Sequence, residues 1–424
     1  MADLFGRKRA FLIGIVGFAA ASALGGFAVN AGMLLSARAL QGVFGALLAP
    51  AALSLLTVTF TETRERARAF GIFGAIAGGG GAVGLILGGV LTEYLNWRWS
   101  LLINVPIAVI VVFGAIATVR EPEGTRNRSR MDIPGVLLVT AGLVSFVYAF
   151  TRAESDGWGD AGTIGFFIAA AVLLVAFVIV ETRVQAPLLP LRVVTDRNRG
   201  GVYLSLGLSV IGMFGVFLFL TYYFQEVKGY SPVASGVAFL PMVGSMLIGS
   251  TQIAPRLMTR VPARYLMGPG FLVGAAGMAL LAQMKTDSSY PVLIVPALLL
   301  LGLGMGTAFM PAMNLATYGV EARDAGVASA MVNTSQQVGG SIGTALLNTV
   351  AASATTSWLA SHGNNPDLAR QAAVHGYAMA AWWGAGLLLV SAAIAFVLIN
   401  AGRPSDAPGI SSAEDDTLVP VIAH

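Results

Sequence analysis

Few residues of this 424-residue chain could do chemistry, because only 11% are charged while 56% are apolar. It has no cysteine, which excludes disulfides and thiolate metal sites. Its three histidines, His362, His375 and His424, fall in predicted loops or the tail and form no readable zinc or haem site. Gly302-x-Gly304-x-Gly306 and Gly78–Gly81 imitate phosphate-binding glycines, but neither follows a strand or carries the lysine that a nucleoside triphosphate loop needs. No Ser, His and Asp fall on one face. Enzyme chemistry, a cofactor and ATP-driven work are therefore not expected. What remains is a short list of polar groups inside apolar runs. Arg38 and Gln41 lie in one such run. An arginine at the centre of a membrane helix costs about 3 kcal/mol, so it faces a partner or a wet cavity, unless its stem snorkels to the interface. Asn333, Gln337, Ser341, Thr344 and Asn348 are spaced 4, 4, 3 and 4 and share a helix face. Such a stripe either bonds to neighbouring helices, at about 0.6 kcal/mol per bond, or lines a path. Glu93, Glu181 and Glu226 sit at the ends of runs and Asp132 precedes one, so no acid falls in mid-run.

The elements that must position these groups are apolar runs long enough to cross a bilayer. Twelve are readable, at 10–29, 33–59, 69–92, 100–119, 133–151, 163–180, 201–224, 233–254, 265–283, 291–314, 326–352 and 377–399. Each is predicted to be an α-helix, since an open strand cannot satisfy its backbone in lipid. Alternating the spans from an inside N-terminus puts nineteen of the 25 Lys and Arg residues on inner segments and five on outer ones, with Arg38 inside a span. That bias places both termini on the cytoplasmic side. The longest outer loop is expected at 353–376, and 402–424 reads as a disordered inner tail.

From Gly71 onward, Gly71, Gly74, Gly78, Gly81 and Gly88 follow at spacings of three, four, three and seven. That is a heptad seam with glycine where a soluble coiled coil has leucine, and in lipid it lets a neighbouring backbone come close. The seam continues as Gly80-x-x-x-Gly84-Leu85-x-x-Gly88-Gly89, then Trp97-Arg98-Trp99 and Asn104-Val105-Pro106. This resembles the antiporter motif on the fifth helix of drug exporters in the major facilitator superfamily. Trp97, Arg98, Trp99, Asn104 and Pro106 look like the fourteen-helix drug:proton antiporter branch (EmrB/QacA type). Leu85 stands where that family usually has proline. Asp3, Gly6, Arg7, Lys8 and Arg9 resemble the superfamily's gating loop between its second and third helices, without the leading glycine. On that resemblance the chain lacks the first two of fourteen helices, so its twelve spans are fourteen minus two. Arg38, Gln41 and Gly42 resemble the family's R-x-x-Q-G motif, which assigns Arg38 and Gln41 to the cavity, with Asn333 and Gln337 facing it from the eleventh span.

Internal repetition points to the same fold. Gly71, Gly84 and Gly88 recur as Gly326, Gly339 and Gly343 at an offset of 255, and Gly45, Pro50 and Ala51 recur as Gly306, Pro311 and Ala312 at 261. The Asp3 loop has a weaker echo at Thr259–Arg264. The spans at 133–151 and 163–180 have no counterpart in either copy.

The expected architecture is thus an all-α polytopic membrane protein of major-facilitator fold: residues 1–119 as the N-terminal half without its first two helices, 120–200 as an inserted pair with linkers, 201–401 as a six-helix half, and 402–424 as the tail. The resemblance implies efflux of amphipathic or cationic drug-like compounds in exchange for protons, by a monomer in the inner membrane with no nucleic-acid partner. A facilitator or symporter for a small polar solute and an inactive truncated protein are the alternatives. In fourteen-helix exporters the coupling acid belongs to the first helix, so the sequence as given is not expected to run proton-coupled export by itself.

Overall fold

The computed structural model describes residues 6–59, 65, 80, 83–119, 132–184, 187–258, 260–317, 320, 324–362 and 366–401. Every described element is helical, as a backbone surrounded by lipid requires. In chain order they are α1 (Arg7–Gly26) and α2 (Ala31–Thr59), α3 (Val83–Tyr94) and α4 (Trp99–Thr118), α5 (Ile133–Ser155), α6 (Ala161–Glu181), the short α7 (Leu191–Thr195) and α8 (Arg197–Tyr222). Then come α9 (Pro232–Met258), α10 (Arg264–Leu281), α11 (Val295–Thr317), α12 (Ala325–His362) and α13 (Pro366–Leu398). Eleven of the twelve predicted spans fall on these helices, and of the twelfth, 69–92, the residues from Val83 onward form α3.

Among the described residues, ten helices are long and apolar enough to cross a membrane. The other two predicted spans are α3, described only from Val83, and α12, whose polar stripe lowers its hydropathy. At 1.5 Å per residue, the 38 residues of α12 reach about 57 Å, well beyond the ~30 Å of a hydrocarbon core. The outer loop expected over 353–376 is therefore corrected: α12 continues to His362 and α13 begins at Pro366. The segment is rich in alanine, a strong helix former, but too polar to read as a span. His362 and His375 accordingly lie on helices and not in loops, with His362 stacked on Trp358 at 4.1 Å between ring centroids.

Two compact units organise the residues, and the chain passes between them within α5, α6, α8 and α9. In the first, α1 packs along α2 and against the start of α4, where Gly25 and Gly26 leave room for Leu101 and Leu102. In the second, α10 packs on α11 and α13. Small residues make these approaches possible: a Cβ on Gly270 would lie 2.8 Å from Gly304 O, and one on Gly277 2.7 Å from Ala297 O. Arg192 on α7 ties to Asp324, just ahead of α12, with Nε at 2.9 Å and Nη2 at 2.7 Å from one carboxylate oxygen.

Three π-turns interrupt the helices, at Tyr223–Val227, Gly249–Ile253 and Tyr290–Ile294. The second lies where α9 meets α11: a Cβ on Gly249 would be 2.9 Å from Leu303 O. Such π-turns are frequent at functional sites.

Candidate functional site

The polar residues predicted for the first half come together. Arg38 and Gln41 are three apart on α2 and so share its face. Arg38 Nη1 donates to Gln41 Oε1 at 2.7 Å. Gln41, 4% exposed, donates through Nε2 to Ser22 Oγ on α1. Asn104 of α4 donates to the same hydroxyl at 3.4 Å. Three helices thus meet at one buried oxygen, and the chain of bonds ends at a guanidinium that is itself exposed. Gln41 uses both ends of its amide here, so its orientation is fixed. The arrangement holds a permanent cation at a defined place on a membrane helix. Snorkelling alone does not account for it, because the head group is bonded within the protein. Ser22 was missed in the sequence: a serine among small residues carries no signal until Gln41 and Asn104 converge on it.

On α12 the stripe is as spaced. Asn333, Gln337 and Thr344 are exposed, while Gly339 and Gly343, off the stripe, are buried, as is Gly340, which flanks the stripe and lies against Phe214. Asn333 Nδ2 bonds back to Ser329 O, Ser341 Oγ to Gln337 O and Thr344 Oγ1 to Gly340 O. These three bonds stay within the helix. A groove of about 430 Å³ on another side of α12, lined by Trp158, Leu346, Ser353, Met379 and Trp383 among others, contains none of the predicted cavity residues.

At the start of the described chain, Gly6 caps α1 with φ of 92°, a backbone conformation that glycine adopts at no steric cost. Lys8 Nζ donates to Val119 O at 2.6 Å and Ile116 O at 3.2 Å, which satisfies carbonyls that the end of α4 leaves open and places a cation at its negative pole. Arg7 is half-buried and Arg9 exposed. Asp3 lies outside the described residues.

The antiporter-motif glycines divide. Gly71, Gly74, Gly78 and Gly81 lie outside the described residues. Among the described ones, a Cβ on Gly80, Gly84 or Gly88 would meet nothing within 4 Å, whereas one on Gly89 would lie 2.7 Å from Pro232 O and 3.0 Å from Val233 Cα. The expected backbone contact at Gly88 is therefore corrected to Gly89. Here α3 crosses the start of α9, Gly236 receives the backbone of Leu85, and Val233 N donates to Glu93 Oε2 at 2.9 Å. Beyond α3, Trp97 and Trp99 are exposed, with Arg98 Cζ 4.8 Å from the Trp97 ring centroid and Arg98 N donating to Asn96 Oδ1. Pro106 sits in the first turn of the Asn104–Thr118 segment, where its missing N–H costs nothing. At the end of α8 an interfacial role fits the exposed Tyr222 but not Tyr223, which is fully buried. Tyr223 lies 6.1 Å from Phe224, which in turn meets Tyr230 and Phe239.

Residues 1–344 match the Major Facilitator Superfamily, and the chain belongs to that family of membrane transporters; it is not an enzyme. It is 51% identical over 402 residues to the puromycin resistance protein pur8 of Streptomyces alboniger, covering 94% of this chain and 80% of that protein. It is 39% identical to the cephamycin export protein CmcT of Amycolatopsis lactamdurans, covering 85% of this chain and 76% of the relative. Among solved structures it resembles a bacterial homologue of the human lysosomal transporter Spinster, with a TM-score of 0.64 at 16% identity, covering 94% of this chain and 84% of that one. The last comparison establishes the fold alone.

Proposed function

We propose that this chain is a drug or antibiotic exporter that moves amphipathic, often cationic compounds out across the cytoplasmic membrane. The observation that carries the reading is 51% identity to a puromycin resistance protein across 94% of the chain. Export is secondary and exchanges substrate for protons by alternating access of two repeated halves, 1–119 and 201–401, with 120–200 inserted between them and both termini in the cytoplasm. The inserted pair and the Trp97-Arg98-Trp99 and Asn104–Pro106 signatures support the fourteen-helix branch. Arg38 and Gln41, with Ser22 beside them, and Asn333 and Gln337 are the residues assigned to the substrate path; the exposed polar residues of α12 and the bonded but exposed guanidinium support this. The working unit is a monomer.

The test is puromycin accumulation in bacteria lacking their own exporters, with the full chain expressed and its membrane insertion verified. Accumulation should fall several-fold; its return to the control level with an uncoupler would show proton exchange, against the expectation from the missing mid-span acid, and would point to Glu93 or Glu226 as the coupling group. Unchanged accumulation would refute export, and lowered accumulation insensitive to the uncoupler would refute proton exchange alone.

A further inference from the structure

Asp132 and Glu181, which the sequence places at span ends, are both buried. Helices α5 and α6, of 23 and 21 residues, form a hairpin, so Asp132 just before α5 and Glu181 at the end of α6 return to the same end. The charge bias assigns that end to the cytoplasm. Asp132 is 8% exposed and Glu181 4%. Each carboxylate has one oxygen held by the backbone: Gly135 N donates to Asp132 Oδ1 at 3.0 Å, and Leu189 N to Glu181 Oε2 at 3.0 Å. Each has its other oxygen, Asp132 Oδ2 and Glu181 Oε1, buried without a partner.

The two carboxyl groups meet at Gly135. Gly135 sits against both orphaned oxygens: a Cβ there would overlap Asp132 Oδ2 and lie 2.8 Å from Glu181 Oε1. Two acceptors therefore face each other with no donor between them. Arg183, nearby on the chain, is exposed and bonds to neither carboxylate. Arg126, Arg128 and Arg130 lie outside the described residues, and among those described no cation faces the pair.

We propose that Asp132 and Glu181 share one proton between Oδ2 and Oε1, which makes the inner end of the inserted hairpin a proton-binding site. Like charges at contact in a buried site do not both ionise, and such a pair takes up and gives up its proton as one unit. The shared proton supplies the donor that both oxygens lack, in a strong charge-assisted bond. Its loss to water places two anions together and opens the end of the hairpin that Gly135 N and Leu189 N hold. The site lies apart from the Arg38 network and stands whether or not export is driven by protons.

The experiment is infrared difference spectroscopy of the purified full chain across a pH titration, with proton uptake measured in parallel. The wild type should show the carbonyl stretch of a protonated carboxyl at neutral pH. D132N and E181Q should each abolish it and each bind one proton fewer, while the exposed D287N leaves it unchanged. The double variant D132N/E181Q, an amide pair of the same shape, should fold and lack the band, which keeps the test decisive if either single variant fails to fold. A wild type without the band, or a band that survives in either single variant, would overturn the proposal. So would loss of fold in R130Q with no band in the wild type, which would show an ion pair in place of the proton.

Discussion

Helices α3 and α12 carry the same glycines at an offset of 255, yet the two pairs meet different surroundings. On α12, a Cβ at Gly339 would strike the backbone of Gly207, and one at Gly343 would lie 2.7 Å from Ile211 O. On α3, Gly84 and Gly88 meet nothing described within 4 Å. The second repeat behaves alike: Gly306 is pressed against the backbone of Met246, while the Phe18 ring lies 3.9 Å from a Cβ on Gly45. The covering backbones belong to α8 and α9. Glycine spacing thus marks where a helix can be approached closely, and the neighbour decides whether it is.

The largest effect expected from this contrast is at Gly343. Gly343→Leu drives a side chain into the α8 backbone and should cost about 3 kcal/mol, seen as a loss of monodisperse folded protein in detergent. If Gly343→Leu is as stable as the wild type, the contact is not close. Next comes Gln41→Leu, which leaves Arg38 and Ser22 without their common partner at a cost of about 1–3 kcal/mol. Drug export should fall about tenfold with surface expression retained. Gly89→Ala should cost about 1–2 kcal/mol, since Pro232 O must shift. Gly88→Ala should stay within about 0.5 kcal/mol of the wild type. Thermal unfolding of both variants reads the contrast directly, and the reverse order would place the contact at Gly88.

The spans were legible because apolar length is a strong signal: eleven of the twelve fall on helices, as does the described part of the twelfth, from Val83 onward. What was not legible follows from three kinds of physics. The end of α12 and the start of α13 are helical through alanine propensity and mutual packing: Gly376 abuts Ala351 and Thr355, and no hydropathy window reports that. The burial of Asp132 and Glu181 depends on α5 and α6 being nearly equal in length and antiparallel, so that two end residues cover each other. Register is the third: Gly88 and Gly89 are adjacent, and only the position of Pro232 tells which is covered. The cavity residues were legible in part, since Arg38 and Gln41 lie on one face by spacing alone, whereas Ser22 is identified only by its donors.

The smallest effect expected is at the outer turn between α5 and α6. The Thr163 N–H at 3.0 Å, followed by Arg152 at 3.1 Å, holds the Asp160 carboxyl below its usual range. A lowered folded value means the stabilisation is complete above the ordinary carboxylate pKa of about 3.9 and is lost only as pH falls through the lower folded value. Asp160→Asn should therefore change stability by the same small amount at pH 7 and pH 5. A difference that grows or shrinks between those two values would contradict the assignment.

The central claim is that substrate passes along the polar side of α12 and not its glycine side. The absence of cysteine allows a direct test with single cysteines at Gln337 and at Ala328, labelled in membranes by a water-soluble, membrane-impermeant thiol reagent. The account predicts rapid labelling at Gln337→Cys that puromycin slows, and none at Ala328→Cys, which is fully buried on the side of Gly339. Equal labelling at the two positions, or no labelling at Gln337→Cys in protein that still exports, would contradict it.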